Sequence, residues 1–172
     1  MPTNSTAPPE VPLLSLIKST PEDVLAALST IGFIHLDLDG TGISQEEVDR
    51  AFQISNLIHS VPLDQRTDYT KDARGNGYFP MKGSLDERSS STDFKESYVW
   101  GRFKASAEET KSQQVLPDAI GALRDEIEEF DNKCFEASLR VLDMLSQALS
   151  VRSDSLPRRQ TPNVSPASFR LL

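Results

Sequence analysis

With 172 residues and a net charge of -8, the chain has the length of one domain with a modest core. Its acidity argues against nucleic acid or an anionic membrane surface as the main partner. Its single cysteine, Cys134, excludes a disulfide framework or a cysteine zinc site within one chain.

Residues 1–10 are rich in Pro, Ser and Thr, have no apolar run, and read as disordered. They do not have the pattern of a signal peptide, and no segment reaches the length of a membrane span, so a cytoplasmic protein is expected. Val11 to Ile17 alternates weakly and predicts a strand. Thr20-Pro21-Glu22-Asp23 predicts a helix start, with a capping hydroxyl, proline at the first helical position and a carboxylate three residues on. Val24, Leu25 and Leu28 would be its buried face, and Gly32 its end. Phe33 to Leu38 alternates as a second strand. A turn at Asp39-Gly40-Thr41-Gly42 precedes a second capping box, Ser44 with Glu47. The helix it opens is expected to bury Val48, Ala51, Phe52, Ser55 and Ile58 and to end near Pro62. Residues 63–74 are polar. Residues 75–100 are Gly-punctuated and aromatic, which suits strands and loops, and residues 104–114 read as a solvated connection.

Residues 118–151 carry the strongest pattern. Ile120, Leu123, Ile127, Phe130, Cys134, Ala137, Val141, Leu145 and Ala148 recur at three- and four-residue steps, one apolar stripe on one long helix. Such a helix would run roughly 50 Å. Cys134 falls on the stripe and reads as a small buried apolar residue. From Arg152 the chain turns rich in Arg, Ser and Pro and reads as a disordered or aberrant tail. The domain reading is therefore 1–10 disordered, 11–151 folded and 152–172 tail.

Three motifs bear on chemistry. Asp37 to Val48 resembles a calcium loop, with Gly42 at the sixth position, but Val48 stands where a bidentate Glu is needed and Glu47 is one residue early. A turn and a capped helix are favoured there. His35-Leu36-Asp37 is an H-x-D triplet whose ends would share one side of a strand, as an iron(II) facial triad requires. The only other histidine, His59, is too close in sequence for the usual spacing. Gly77-Tyr78 followed by Asp93-Phe94-Lys95-Glu96-Ser97-Tyr98 reads, on physical grounds alone, as a hairpin with a charged strand.

Taken in order, these segments resemble the N-terminal region of the 2-oxoglutarate/iron(II)-dependent dioxygenases of the isopenicillin N synthase-like group. The resemblance runs over roughly residues 11–150. It is carried by Val11-Pro12-Leu13-Leu14-Ser15-Leu16, Gly32-Phe33-Ile34, the helix around Phe52, Pro62 to Arg66, Gly77-Tyr78, Asp93 to Gly101 and the long helix. One local departure is Asp37-Leu38-Asp39-Gly40, where the family often has N-H-G.

The resemblance implies an α+β fold: N-terminal helices and short strands of a jelly-roll dioxygenase with one long amphipathic helix, an incomplete double-stranded β-helix. In the family, iron(II) is held by H-x-D and a distal His, and an R-x-S pair receives 2-oxoglutarate, all C-terminal to the long helix. No such elements follow Val151, and Phe169-Arg170-Leu171 does not match. No metal or co-substrate ligand is carried over, and no catalytic residue is assigned. His35 and Asp37 align with the wrong part of the fold. The segment around Gly77-Tyr78 can approach the substrate mouth in the family. This makes Arg74, Tyr78 and Phe79 candidates for contact with an organic acid or a flat aromatic metabolite; the other reading packs Tyr78 and Phe79 under the long helix.

Two functions remain open. The favoured one is the N-terminal domain of an oxidoreductase acting on a small organic metabolite, here a truncated or alternatively spliced product, inactive alone and marginally stable. The alternative is a non-catalytic module whose long helix binds a protein partner.

Overall fold

The computed structural model describes residues 10–70, 76–81, 95–101, 114–152, 155–157 and 168–171. In chain order the elements are β1 (Leu13–Leu14), α1 (Pro21–Thr30), β2 (His35–Leu36), α2 (Gln45–Ser60), α3 (Leu63–Arg66), a 3₁₀ turn (Thr67–Tyr69), β3 (Gly77–Phe79), β4 (Ser97–Gly101), α4 (Asp118–Gly121), α5 (Arg124–Ala148) and β5 (Ser168–Leu171). The chain divides into two compact units. The first takes Met1–Ser44 and Lys133–Gln160, the second Gln45–Asn132 and Thr161–Leu172.

In the first unit the predicted capping box forms. The Thr20 hydroxyl accepts from the Asp23 amide at 3.2 Å, and the Asp23 carboxylate accepts from the Thr20 amide at 2.8 Å. Two of the helix's orphan donors are thereby satisfied. The α1 helix then buries Val24 and Ala27, which with Leu14 make a small core; Leu28, Ile34, Val141 and Met144 pack on it. The two strands are shorter than the alternation predicts. Only Leu13↔His35 and Leu14↔Leu36 pair, in parallel, with α1 as the crossover that parallel pairing demands.

Beyond β2 the chain reverses through Gly40 and Gly42, both at positive φ (82° and 79°), and the Arg140 guanidinium donates to the Gly40 carbonyl. A Cβ at Gly40 would lie 3.2 Å from Ile17 Cγ1, whereas one at Gly32 (φ 80°) would meet nothing within 4 Å. The left-handed conformation costs an L-residue about 1–2 kcal/mol at either site; only at Gly40 does crowding add to it. Gly40→Ala is therefore expected to destabilise the first unit by about 2 kcal/mol and Gly32→Ala by about 1 kcal/mol, read by thermal unfolding. Equal losses would remove the Ile17 contact from the explanation.

In the second unit β4 is the middle strand of an antiparallel sheet ordered β3-β4-β5. Tyr98 pairs with Tyr78 on one side and with Leu171 on the other. Tyr98 and Trp100, on one face of β4, join Ile54, Ile58, Tyr78, Leu116, Ile120 and Ile127 in the larger core. Burying each of its aliphatic side chains contributes about 1.5–3 kcal/mol. Gly77, at φ 125°, adopts a backbone angle open essentially to glycine alone.

Four expectations are corrected. The long helix is not continuous from residue 118. At Ala122–Leu123 the bonding tightens, with Leu123 N–H to Ile120 O at 2.9 Å, next to Gly121, a poor helix former. The α5 helix starts at Arg124 and ends at Ala148, with Ser150 left-handed beyond it (φ 54°), so it spans about 37 Å. Its stripe is uneven: Ile120, Ile127 and Ala137 are buried, while Phe130, Cys134, Val141 and Leu145 are half-buried. In α2 Ser55 and Ile58 are buried as expected, but Ile54 completes the face and Phe52 is 68% exposed. Finally, residues 168–171 are not without structure: they form β5. An Arg/Ser/Pro-rich composition describes its own neighbourhood, and β5 is held by pairing with a strand 67 or more residues earlier.

Candidate functional site

In the calcium-like loop the oxygens of Asp37 and Thr41 serve the loop itself, and Asp39 pairs with Lys18. Asp37 Oδ1 accepts from the Asp39 amide at 3.0 Å. The Thr41 hydroxyl donates to the Leu38 carbonyl at 2.7 Å and accepts from the Ile43 amide at 3.0 Å. This is a turn that delivers the chain to α2. In the H-x-D triplet, His35 is exposed and Asp37 caps that same turn. His59 Nδ1 lies 2.9 Å from the Ser55 carbonyl, one turn back on α2. Among the described residues no group of three or more His, Cys, Asp or Glu could hold a metal ion.

Three of the motif segments do converge, all within the second unit. Arg66 ends α3, Tyr78 is the middle of β3, and Glu96 directly precedes β4. Arg66 Nη1 and the Tyr78 hydroxyl both donate to Glu96 Oε2, each at 2.8 Å. The Arg66 guanidinium carbon sits 5.3 Å from the centre of the Tyr78 ring, within cation–π range. With side-chain exposures of 12% for Arg66 and 26% for Glu96, this pair is shielded from water, unlike Lys18–Asp39 at 71% and 51%. Burial pushes the Glu96 carboxyl up, but the hydrogen bonds from Tyr78 and Arg66 and the neighbouring positive charge outweigh it, so it titrates below the usual glutamate value. The Tyr78 phenol is pushed up, first by burial and then by its bond to Glu96. His59 Nε2 and Arg66 Nε are buried without hydrogen-bond partners among the described residues.

Chemically this is a clamp. The carboxylate is held ionised, and the tyrosine hydroxyl is already committed to it. Of the substrate-adjacent candidates, Tyr78 is 1% exposed and packed in the larger core. Phe79 alternates to the other face of β3 and is half-buried. Arg74 lies outside the described residues. The sequence signal for the clamp was present in Arg66 and Glu96, but only the fold brings residues 30 apart to one oxygen.

A family profile described as the N-terminal part of non-haem dioxygenases in morphine synthesis matches residues 15–119. The chain belongs to this non-haem dioxygenase N-terminal family. A UPF0676 protein of Schizosaccharomyces pombe is 27% identical over 154 residues, covering 84% of this chain and 46% of that protein. The fold agrees with a 2OG-Fe(II) oxygenase family protein from Caulobacter crescentus, at a TM-score of 0.67 and 18% identity over 86% of this chain and 51% of that one. It also agrees with a full-length Neurospora crassa protein crystallised with alpha-KG and thymine, at 0.65 and 16% over 84% and 50%. The chain thus spans about half the length of the relatives it matches. It corresponds to the N-terminal part of a non-haem dioxygenase-like protein, and the alternative of a partner-binding module is not favoured.

The family implies iron and 2-oxoglutarate. The described donors do not fit iron: His35 is exposed on a two-residue strand, the Asp37 carboxylate is occupied by its own turn, and no third ligand joins them. Among the described residues, no helix is long and apolar enough to cross a membrane.

Proposed function

We propose that this chain forms the front part of a 2-oxoglutarate/iron(II)-dependent oxidoreductase acting on a small organic metabolite, with the jelly-roll catalytic half supplied by sequence beyond the matched region. The observation that supports this best is the one-sided coverage: more than four-fifths of this chain aligns with only about half of each oxygenase structure. On this reading β3, β4 and β5 are the first strands of the larger sheet. The Arg66–Glu96–Tyr78 clamp fixes β3 so that Phe79, on the opposite face, borders the substrate mouth; Arg74, outside the described residues, stays a candidate from sequence alone. An aromatic face, together with a guanidinium a few residues earlier in the sequence, suits a flat or carboxylate-bearing metabolite. The Neurospora crassa neighbour, crystallised with thymine, is consistent with a small planar ligand.

The test is metal and co-substrate binding by the purified 172-residue chain. It is expected to take up no stoichiometric iron(II) at micromolar concentration and to consume no 2-oxoglutarate. Stoichiometric iron binding that is lost in His35→Ala would overturn the reading, because it would place a working site in the residues assigned here to a strand and a turn.

A further inference from the structure

The second unit holds a cavity that shares no residue with the clamp. Ala51 and Ile54 of α2, Ile127 and Phe130 of α5, and Trp100 of β4 line it. Each helical pair is one three-residue step apart, which puts both side chains on one face of its helix. Ile54, Ile127 and Trp100 are 3–4% exposed and belong to the larger core, so the apolar floor is held by packing from behind. The empty space is about 450 Å³, part of it open to solvent, within the range of about 300–1,000 Å³ usual for small-molecule sites.

Four charged side chains share the lining, and none is held in reserve for a ligand. Arg50 Nε donates to Glu126 Oε1 at 2.7 Å and Arg50 Nη2 to Glu126 Oε2 at 3.2 Å, a two-pronged pair that occupies both partners. Glu47 and Glu129 are each engaged in interactions of their own. A charged ligand entering here would give up water and find no group waiting to replace it. An uncharged apolar ligand suffers no such loss, because it removes carbon surface from water on both sides of the contact. Two of the apolar side chains, Trp100 and Phe130, are aromatic. Rings in offset or edge-to-face contact gain beyond the area they bury.

We propose that this cavity binds a small uncharged aromatic molecule, one ring with at most a short aliphatic branch. The ring packs against Trp100, Phe130 and Ile127, while the Arg50–Glu126 pair, with side chains 39% and 42% exposed, stays closed on itself at the rim. The site is built wholly from this chain's own residues and stands whether or not the oxygenase reading holds.

Trp100 is the only tryptophan in the chain, so its fluorescence reports on the cavity. With the purified 172-residue chain, toluene should shift or quench it saturably below about 1 mM. Benzoate and benzylammonium put a charge of either sign on the same ring, and each should bind at least about tenfold more weakly. Ala51→Leu fills the cavity from α2. It should weaken toluene by at least about tenfold while the melting temperature holds or rises, as it does when an apolar hollow is filled. Independently of any variant, toluene at about 1 mM should raise the melting temperature of the unaltered chain. Equal binding of toluene and either charged analogue, no saturable change up to about 1 mM toluene, full toluene affinity in folded Ala51→Leu, or a melting temperature of the unaltered chain that toluene does not move would each overturn the proposal.

Discussion

Glu96→Ala is expected to cost the second unit about 3 kcal/mol, read as a shift in the urea midpoint of Trp100 fluorescence. The loss has two parts. The Arg66 guanidinium, 12% exposed, keeps its charge and loses its counter-ion. The Tyr78 hydroxyl, buried beneath it, loses its acceptor. Removing one member of a shielded pair costs more than the pair itself contributes, because the survivor has no compensation. Glu96→Gln should cost less, since an amide oxygen can still accept from Tyr78 while the charge is gone. The acid limb gives an independent readout. The folded-state value of Glu96 lies below its ordinary value of 4.5, so its stabilisation is complete above about pH 4.5 and is lost as pH falls from there through the lowered value. Glu96→Gln should lack that share of the acid destabilisation. If Glu96→Ala unfolds at the wild-type midpoint, or if Glu96→Gln keeps the full acid slope, the clamp is not holding β3 in place.

The clamp also marks where sequence reasoning reaches its limit. The Thr20–Asp23 box was legible because a cap is a local device: four residues contain both donors and both acceptors. The α5 stripe was legible for the same reason, since periodicity is carried within one element. The break at Ala122–Leu123 was not. The three- and four-residue spacing of Ile120, Leu123 and Ile127 survives a one-turn tightening, so the pattern looks unbroken while the helix is not. Phe52 misled in the opposite sense. It is apolar and at a plausible step, but α2 turns Ile54 inward in its place, with Ser55 and Ile58 buried as the spacing predicts. Both β5 and the Arg66–Glu96 pair depend on contacts between distant segments, and no local window contains them. The family was legible despite these gaps, because order and spacing of weak motifs along the chain do not require knowing which of their side chains meet.

Tyr78→Ala is expected to be at least as damaging as loss of the carboxylate, at about 3–5 kcal/mol by analogy with other buried aromatic truncations. The ring is 1% exposed within the larger core, faces the Arg66 guanidinium and sits at the middle of the three-residue strand β3. Tyr78→Phe isolates the hydroxyl and should cost about 1–1.5 kcal/mol, since ring packing and the cation–π contact persist. The two halves of the clamp should be coupled: once Glu96 is Ala, the further change Tyr78→Phe should cost almost nothing, because the hydroxyl has already lost its partner. Additive losses in that cycle would mean that the 2.8 Å contact contributes nothing of its own. Phe79→Ala makes the contrast that bears on function. As a half-buried residue on the other face of β3, it should be much less costly to stability than Tyr78→Ala. A ranking reversed from this would move the structural anchor of β3 to Phe79 and leave Tyr78 as the side chain available to a substrate.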